Sequence, residues 1–458
     1  MADELLDSPA SEIVAAAAAR QVGAVELARA AIARIESRDS QINAVVVRDF
    51  DRALDAAAEA DRAIARGETA PLLGLPMTVK EGYNVAGLPT TWGIEAFRGW
   101  IAQEDAVAVQ RLKTAGAVIL GKSNVPVGLA DWQAMNPIYG RTSNPWDSGR
   151  SPGGSSGGSA AVLAARMVPL ELGSDIAGSI RVPAAFCGVY GHKPSYGLIP
   201  RRGHSPPGAD GAPLPFAVLG PMARNAADLG LSMTVLAGPD AAEAKALRLA
   251  LPPSRHAALS DFRVLVVDSH PAAKVDGEIC AALARLADRL AALGTAVDRN
   301  SAKLPDLAAF NEAYLKALFT VMSRNQPGAT SMPAHDYLAL LDIQVRARRT
   351  WAALFEDYDV VLAPAFGVVA FPHNDEADQD KRRLTIDGSG EPFVNQMAWP
   401  GLASFANLPV TAIPVGLTEA GLPIGCQVIG PYLEDRTTIV FAGLVEREFG
   451  GFVAPPGF

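Results

Sequence analysis

The chain has 458 residues, which is enough for about three average domains, although α/β enzymes of this size often fold as one unit. Hydrophobic residues make up 49% of the chain and charged residues 19%, which excludes an intrinsically disordered protein. The formal net charge of -9 excludes the basic surface with which nucleic-acid-binding proteins neutralise phosphates, so no nucleic-acid partner is expected.

The chain opens with two predicted helices. Ser11 is suited to cap a helix over residues 12–20, and apolar residues with helical spacing follow between residues 25 and 35. The apolar stretch 13–19 is far shorter than the roughly 20 residues that span a bilayer. The acidic first residues also lack the basic region of a secretory signal. We therefore expect a soluble cytoplasmic protein with no membrane partner.

Short apolar segments bounded by Gly and Pro predict buried strands along the rest of the chain. These segments are residues 75–79, 117–120, 263–267, 360–364, 410–415 and 424–429. Helical patterns at 105–115, 160–166 and 278–293 lie between several of them. The alternation predicts an α/β fold with a mostly parallel or mixed central β-sheet covered by helices on both faces, an α/β/α sandwich.

No internal repeat and no linker divides the sequence. One domain over residues 1–458 is therefore predicted, with the helical segment 1–65 packing on it. The Pro- and Gly-rich segment 199–215 is predicted to be a long surface or active-site loop.

The cysteines and histidines show no metal-binding or disulfide pattern. The three cysteines, Cys187, Cys280 and Cys426, are widely separated, which is typical of reduced thiols. The six histidines are scattered, and we expect them at the surface or at the edge of the core. No metal ion and no organic cofactor is implied.

The Gly- and Ser-rich run at 151–159 permits three interpretations. A flexible linker is disfavoured because the run lies between well-patterned segments. A phosphate-binding loop would require a lysine that does not follow the run. Residues 154–158 match the G-x-S-x-G pattern of a nucleophile elbow, but no strand precedes them and the sequence offers no obvious histidine partner.

The run at 172–183 contains a second candidate serine. The small residues Ala177 and Gly178 allow consecutive backbone N–H groups to point toward one place, as an oxyanion requires. Ser179 would then lie beside its own oxyanion hole. The alternative is a tight structural turn capped by Asp175.

A serine hydroxyl needs a base before it can attack an amide, and without a histidine the next candidate is a lysine. Lys80 directly follows the predicted strand 75–79. Burial there would disfavour the ammonium and lower the pKa of Lys80, which would let the neutral amine act as a base. The alternative is that Lys80, like most lysines at strand ends, only extends into solvent.

Taken together, these residues resemble the amidase-signature family of serine hydrolases. The shared features are a Gly-Gly-Ser-Ser-Gly-Gly run, a later Gly-Ser-x-Arg run and an upstream lysine. The matching segments are residues 75–87, 121–124, 152–159, 173–183, 185–194 and 421–430. The resemblance therefore covers nearly the whole chain, with 75–200 as the signature core.

The resemblance implies a catalytic triad. Ser179 corresponds to the nucleophile, Ser155 to the proton relay and Lys80 to the base. In the family the relay serine follows a cis peptide bond, so the bond between Gly154 and Ser155 is expected to be cis. The family's reaction proceeds through an acyl-enzyme that water then hydrolyses.

The resemblance also implies an oxyanion hole and supporting residues. The expected oxyanion donors are the backbone N–H groups of Ile176, Ala177, Gly178 and Ser179. The expected supporting residues are Gly154, Ser156, Asp175 and Arg181.

The chain departs from the family pattern in two places. Ala177 replaces a usual glycine, and Glu81 follows Lys80 where aspartate is common. Neither change removes a catalytic atom. Lys122 is interpreted as structural and Cys187 as a buried packing residue.

The family includes simple amidases, aryl-acylamidases, fatty-amide hydrolases, carbamate-opening members and one component of an amidotransferase. Specificity is expected from the variable segments 90–97, 132–139, 201–216 and 304–344, the last of which is rich in apolar residues. We predict a free-standing amidohydrolase, monomeric or homodimeric, whose small-molecule substrates are apolar or aromatic amides, anilides or carbamates (urethanes).

Two alternatives remain open. The chain could be the glutaminase (A) subunit of a tRNA-dependent amidotransferase, which would need a partner protein. It could also be a catalytically silent binding protein on the same fold.

Overall fold

A large mixed sheet runs through the protein. The computed structural model describes residues 1–209, 211–324 and 331–458. Its strands are β1 Val45–Arg48, β2 Pro76–Lys80, β3 Val118–Ser123, β4 Met135–Asn136, β5 Gly140–Arg141, β6 Leu170–Asp175, β7 Tyr190–Lys193, β8 Val218–Ala223, β9 Arg263–Val266, β10 Ala296–Asp298, β11 Val360–Pro364, β12 Arg383–Ile386, β13 Ser389–Pro392, β14 Val410–Leu417 and β15 Pro423–Ile429.

The main sheet has 11 strands in the order β1-β3-β2-β6-β8-β7-β14-β15-β11-β9-β10. β3, β2 and β6 are parallel neighbours, and β11, β9 and β10 form a second parallel group. Antiparallel pairs join these two groups through the centre of the sheet. The predicted mixed sheet is therefore confirmed.

Helices connect the strands and cover the sheet. They are α1 Ala2–Leu5, α2 Ala10–Ala18, α3 Ala24–Arg38, α4 Phe50–Ala65, α5 Val107–Thr114, α6 Gly157–Ala164, α7 Arg181–Cys187, α8 Ala226–Leu236, α9 Gly277–Ala292, α10 Leu307–Met322, α11 Ala334–Leu354, α12 Ala398–Ser404 and α13 Asp435–Phe449. In the described residues, none of the helices is long and apolar enough to cross a membrane.

The apolar core lies on both faces of the sheet. Val264 and Val266 of β9 belong to an apolar cluster that includes residues of α9 and α13, whereas Leu265 between them belongs to a cluster with α10, α11 and α12. Successive side chains of a strand point to opposite faces of its sheet. Helices therefore cover both faces, and the predicted α/β/α architecture is confirmed.

The first of these clusters extends to the N-terminal segment. Leu6, Ile13 and Leu27 are fully buried in it together with Met77 and Val79 of β2. The first helices thus share apolar core with the strand that carries Lys80.

The start of α2 differs from the prediction. The helix begins at Ala10, and its N-cap is Pro9 without a side-chain cap, so Ser11 does not cap it. The N–H of Ala10 instead donates to Asp228 Oδ1 of α8 at 2.8 Å. A tertiary contact therefore satisfies the backbone donor that a local cap would otherwise bind.

Candidate active site

The candidate site lies where two neighbouring parallel strands end. Lys80 is the last residue of β2 and Asp175 the last residue of β6, and these strands pair in parallel. Ser155 lies just before α6, and Ser179 just before α7. The carboxyl ends of parallel strands meet at one edge of a sheet, where open α/β folds place their ligands. The tertiary structure thus gathers the predicted residues at one edge.

Lys80 is fully buried among serine hydroxyls. Its Nζ lies 2.7 Å from Ser155 Oγ, 2.9 Å from Ser156 Oγ and 3.0 Å from Ser174 Oγ. Burial lowers the pKa of Lys80 to about 7, although the carboxylates of Asp175 and Glu171 act in the opposite direction. The amine is therefore neutral in a large fraction of molecules near pH 7.

The hydrogen bonds around Lys80 fit a neutral amine. A neutral amine has two N–H groups to donate and one lone pair to accept with. The Ser156 hydroxyl donates to the carbonyl oxygen of Ser174 at 3.3 Å, which makes Ser156 an acceptor toward Lys80. If Ser156 and Ser174 take the two N–H groups, the lone pair is left for the hydroxyl proton of Ser155. Lys80 can then accept that proton.

The loop that carries Ser155 is closely packed. The peptide bond between Gly154 and Ser155 is cis, as expected. A side chain at position 154 would lie 2.3 Å from the carbonyl oxygens of both Asp131 and Gln133, so only glycine fits there. This supports the predicted structural role of Gly154.

The expected relay also requires a hydrogen bond between the hydroxyls of Ser155 and Ser179, and this bond is not formed. The hydroxyl of Ser179 makes no hydrogen bond within the part of the chain that the structure describes. The loops themselves are joined, because the N–H of Ser156 donates to the carbonyl oxygen of Ser179 at 3.1 Å. Ser155 and Ser179 also line the same cavity of about 50 Å³. Catalytic hydrogen bonds are often long or misaligned without substrate, so this geometry is compatible with a relay.

The predicted oxyanion loop has fewer available donors than expected. The N–H of Gly178 already donates to Asp175 Oδ1 at 2.9 Å. Among the described residues, the N–H groups of Ile176, Ala177 and Ser179 have no hydrogen-bond partner. In this arrangement three of the four predicted donors remain available to an oxyanion.

Gly178 and Ala177 have different roles in this loop. Gly178 has a φ of 93°, and a side chain there would lie 2.8 Å from Val182 Cγ2. Glycine is therefore required at this position. The carbonyl oxygen of Ala177 accepts a hydrogen bond from Trp132 Nε1 at 2.9 Å, which holds the loop from the outside. The alanine in place of the usual glycine is thus accommodated.

Asp175 and Arg181 brace the loop from below. The Arg181 guanidinium is fully buried and donates to both carboxylate oxygens of Asp175, at 3.0 and 2.8 Å. Burial alone would raise the pKa of Asp175, but Arg181 and the N–H of Ile180 lower it to about 2. Asp175 therefore stays ionised and holds the backbone of residues 178 and 180. The turn capped by Asp175, proposed as the alternative to an oxyanion loop, is part of the same loop.

Arg181→Met is expected to destabilise the protein by about 3–5 kcal/mol, because it leaves the carboxylate of Asp175 buried without its cation. Urea unfolding of the two proteins measures this difference. Arg62→Met is the control, since Arg62 and its partner Glu59 are 61% and 56% exposed. An exposed pair contributes at most about 1 kcal/mol. If the free energy of unfolding of Arg181→Met differed from that of the wild type as little as that of Arg62→Met does, the bracing role would be contradicted.

A wider cavity adjoins the one at the two serines. Its volume is about 670 Å³, and both cavities are lined by Trp92, Arg201, Leu214 and Met322. Three of the four predicted specificity segments therefore contribute to the walls. Asp210 and residues 325–330, which belong to two of these segments, lie outside the described residues.

The segment 132–139 differs from the other three predicted specificity segments, because its residues line neither of these two cavities. Trp132 packs against Phe366 and Phe393 behind the predicted oxyanion loop. The turn at Gly128 and Leu129 contributes to the cavity wall at the serines instead.

Lys122 acts on the cavity indirectly, which confirms its structural interpretation. It is fully buried and donates to Thr90 Oγ1 at 2.9 Å and to the carbonyl of Pro89. Glu81 accepts the N–H groups of Thr91 and Trp92 at 2.6 and 2.9 Å. These contacts fix the segment that presents Trp92 to the cavity.

The cysteines fit their prediction better than the histidines do. The three thiols are free, and Cys187 is fully buried, with burial raising its pKa. In contrast, His192 and His204 are 0% and 2% exposed, so the expected surface or core-edge position was wrong for these two. His192 contacts Thr411 and Asp435, at 3.0 and 3.1 Å.

Sequence reasoning did not single out four residues close to the predicted triad, although two of them, Arg201 and His204, lie within the predicted specificity segment 201–216. Ser174 contacts Lys80, buried Glu171 contributes to its electrostatics, and Arg201 and His204 line the cavity at the serines. The one signal for Ser174 was its place beside Asp175 in an already selected run. Arg201 and His204 lie in an irregular loop, where no periodicity shows which side chains point inward.

Comparisons with known proteins find similar sequences and structures along nearly the whole chain. A family model described as Amidase matches residues 26–332 and 320–439. The A subunit of the glutamyl-tRNA(Gln) amidotransferase of Anaeromyxobacter sp. (strain K) is 32% identical, over 99% of both proteins. Fatty-acid amide hydrolase 2 of Homo sapiens is 31% identical, over 96% of this chain and 88% of that protein. A bacterial aryl acylamidase structure superposes with a TM-score of 0.81 at 25% identity, over 97% of this chain and 96% of the other.

Proposed function

The chain belongs to the amidase family, and from this premise we propose that it hydrolyses amide C–N bonds with Ser179 as nucleophile, Ser155 as relay and Lys80 as base. One observation carries the proposal. A fully buried lysine lies 2.7 Å from a serine that shares a cavity with a second serine. Burial lowers the pKa of the amine to about 7, so a large fraction of it is uncharged near pH 7 and can act as a general base.

In the first half of the reaction, Ser155 passes its proton to Lys80 and takes the proton of Ser179. The Ser179 Oγ then forms a bond to the substrate carbonyl carbon. The negative charge that develops on the carbonyl oxygen is stabilised by the free N–H groups of Ile176, Ala177 and Ser179. Each such donor typically contributes about 10²- to 10³-fold to the rate.

In the second half, the C–N bond breaks and the relay returns the proton to the leaving nitrogen. This step matters because an unprotonated amine is a poor leaving group. Water then gives a proton to the same relay, attacks the acyl-enzyme and releases the acid. Ser179 recovers its proton, so the site returns to its starting state.

The geometry supports apolar or aromatic amides, anilides or carbamates as substrates. Trp92, Leu214 and Met322 give the two joined cavities an apolar wall. Similarity to an aryl acylamidase and to a fatty-acid amide hydrolase supports the same class.

A substrate panel tests this proposal with the purified chain alone. We expect kcat/KM for an acyl p-nitroanilide and for an aryl carbamate to exceed that for acetamide by about 10- to 100-fold. The reason is that burying an apolar ring or chain contributes roughly 1.5–3 kcal/mol. Trp92→Ala should reduce this preference, whereas Val127→Ala, at an exposed position, should preserve it. Equal rates for acetamide and the aromatic substrates would contradict the apolar specificity.

A second candidate function is the glutaminase component of a tRNA-dependent amidotransferase. The curated relatives favour it more strongly than the first, because several amidotransferase A subunits match at 31–33% identity over nearly the whole chain. Such a protein would release ammonia from glutamine, with stimulation by its partner proteins, and would leave p-nitroanilides intact. The same panel with glutamine added therefore separates the two functions. A catalytically silent protein would turn over none of these compounds.

A further inference from the structure

Two side chains at the candidate active site have buried nitrogen atoms without hydrogen-bond partners in the described residues. His204 is 2% exposed, and neither of its ring nitrogens makes a hydrogen bond within the described part of the chain. The Nε of Arg201 is also shielded from solvent without an acceptor. Both side chains line the cavity that contains Ser155 and Ser179.

Such groups are rare in folded proteins. More than about 90% of buried polar groups have a hydrogen-bond partner, and an arginine that leaves solvent is almost always paired. Two other arginines that line the wider cavity have partners even though their side chains are exposed. Arg202 pairs with Asp240 at 3.0 Å, and Arg324 donates to the carbonyl of Ala212 at 3.2 Å. In the described residues, Arg201 forms no ion pair.

The contacts of Arg201 leave its charge available to the cavity. Its Nη2 makes one long hydrogen bond, 3.4 Å, to the carbonyl oxygen of His204. The electrostatic partners of Arg201 are the phenol groups of Tyr196 and Tyr83, and the nearby carboxylate of Asp175 at the cavity wall is already bound to Arg181. A guanidinium with a free Nε presents the planar pair of donors that matches a carboxylate.

His204 is held beside this guanidinium by aromatic contacts. Its ring meets the rings of Tyr83 and Trp92 edge-on, with centroids 4.5 and 5.0 Å apart. Burial, together with the positive charge of Arg201, lowers the pKa of His204 well below its usual range. The imidazole is therefore neutral at ordinary pH and retains one N–H donor.

We propose that Arg201 and His204 form a carboxylate-binding subsite, and that the enzyme's preferred substrate is an amide with an apolar body and a carboxylate group. The inference rests on the proposed amide hydrolysis and specifies the substrate class of the same site. The carboxylate would accept hydrogen bonds from the Arg201 guanidinium and the His204 N–H. Trp92 and Met322 would contact the apolar part.

Two matched substrate pairs test the proposal, because an isopropyl group has nearly the shape of a carboxylate. One pair is the p-nitroanilide of succinic acid and that of 4-methylpentanoic acid, which differ on the acyl side. The other is 4-acetamidobenzoate and 4-isopropylacetanilide, which differ on the amine side. We expect kcat/KM to favour the acid by about 10- to 100-fold in at least one pair, mainly through a lower KM.

Variants identify the residues responsible. The quantity compared is the ratio of kcat/KM for the acid to kcat/KM for its isopropyl isostere. Arg201→Gln should lower this ratio by at least tenfold, Arg201→Lys by less, and His204→Phe by about threefold to tenfold. Arg98→Gln, on the surface with 53% exposure, is the control and should keep the wild-type ratio. No preference for the acid in either pair, or the same ratio in Arg201→Gln as in wild type, would overturn the subsite. If Arg201→Gln does not fold, the Arg201→Lys ratio decides, and an unchanged ratio overturns the proposal.

Binding separates this proposal from the proposed hydrolysis. Calorimetry with the Ser179→Ala protein and the succinyl p-nitroanilide needs no turnover, and affinity should fall at least tenfold when Arg201→Gln is added. Binding without hydrolysis by the wild type would support the subsite and contradict the hydrolytic function. Hydrolysis of both isosteres without preferential binding of the acid would leave the hydrolytic function standing and contradict the subsite.

Discussion

Replacing Ser179 with alanine is expected to lower kcat for amide hydrolysis by roughly 10⁴- to 10⁶-fold, the range found when the nucleophile of a serine hydrolase is removed. In the proposed mechanism the acyl-enzyme forms on Ser179 Oγ, and no other hydroxyl of the described residues occupies its place before α7. Ser155, which contacts Lys80 at 2.7 Å, has the role of relay in this mechanism and is not expected to replace the nucleophile. Substrate KM should change little, since the cavity walls remain.

Trapping of the intermediate makes this prediction specific. Rapid acid quenching of wild type with an activated p-nitroanilide should add one acyl mass to the peptide that contains Ser179. Ser179→Ala should show no such adduct, whereas Ser40→Ala, at an exposed position in the N-terminal segment, should behave as wild type. An acyl group found on Ser155 or Ser156 would assign the nucleophile elsewhere.

Replacing Lys80 with methionine is expected to lower kcat/KM by about 10³-fold or more, within the range attributed to general base catalysis combined with its relay. Methionine has nearly the length of lysine and tolerates full burial, so the substitution removes the base without opening a large cavity. Ser155 would keep its hydroxyl but lose its proton acceptor. Lys113→Met, at a side chain 39% exposed, should retain wild-type activity.

The pH dependence of the wild type gives an independent check on Lys80. Only the neutral amine accepts a proton, and burial lowers its pKa to about 7. As pH falls below 7 the amine becomes protonated, so kcat/KM should decrease about tenfold per pH unit; above pH 8 it should be constant. Lys80→Met should lack this acidic limb. Near-full activity of Lys80→Met between pH 7 and 9 would show that the relay is wrong.

The strands show which elements of the fold sequence patterns can predict and which they cannot. The predicted segments 360–364 and 424–429 correspond to β11 Val360–Pro364 and β15 Pro423–Ile429. In contrast, β6 Leu170–Asp175 was not predicted, although it carries Asp175 and Ser174. Its polar residues Glu171, Ser174 and Asp175 are buried against hydrogen-bonding partners from other segments. Strand preference depends on such partners more than on the residues themselves.

The substrate class is a second property that the sequence motifs did not determine. The motifs around Ser155, Ser179 and Lys80 identified the family, and the family model and the curated relatives agree with it. The relatives nevertheless support the amidotransferase alternative better than the predicted apolar amides. Motifs follow the chemistry that all members share, whereas specificity comes from variable loops whose inward-facing residues leave no regular pattern.

The order of neighbouring residues in the sequence was sufficient to recognise the glycines at the serine loops, the alternation of strands and helices, and the residue types of the predicted triad. These features depend on neighbours along the backbone, where sterics and periodicity act over a few residues. The contact between Lys80 and Ser155 joins residues 75 positions apart, and the burial that lowers the pKa of Lys80 comes from segments that are distant in the sequence. The donors of Arg201 and His204 likewise become buried without partners only when their loop folds over the serines. Distances between residues, desolvation and cavity shape depend on packing throughout the chain, so they are determined only in the folded molecule.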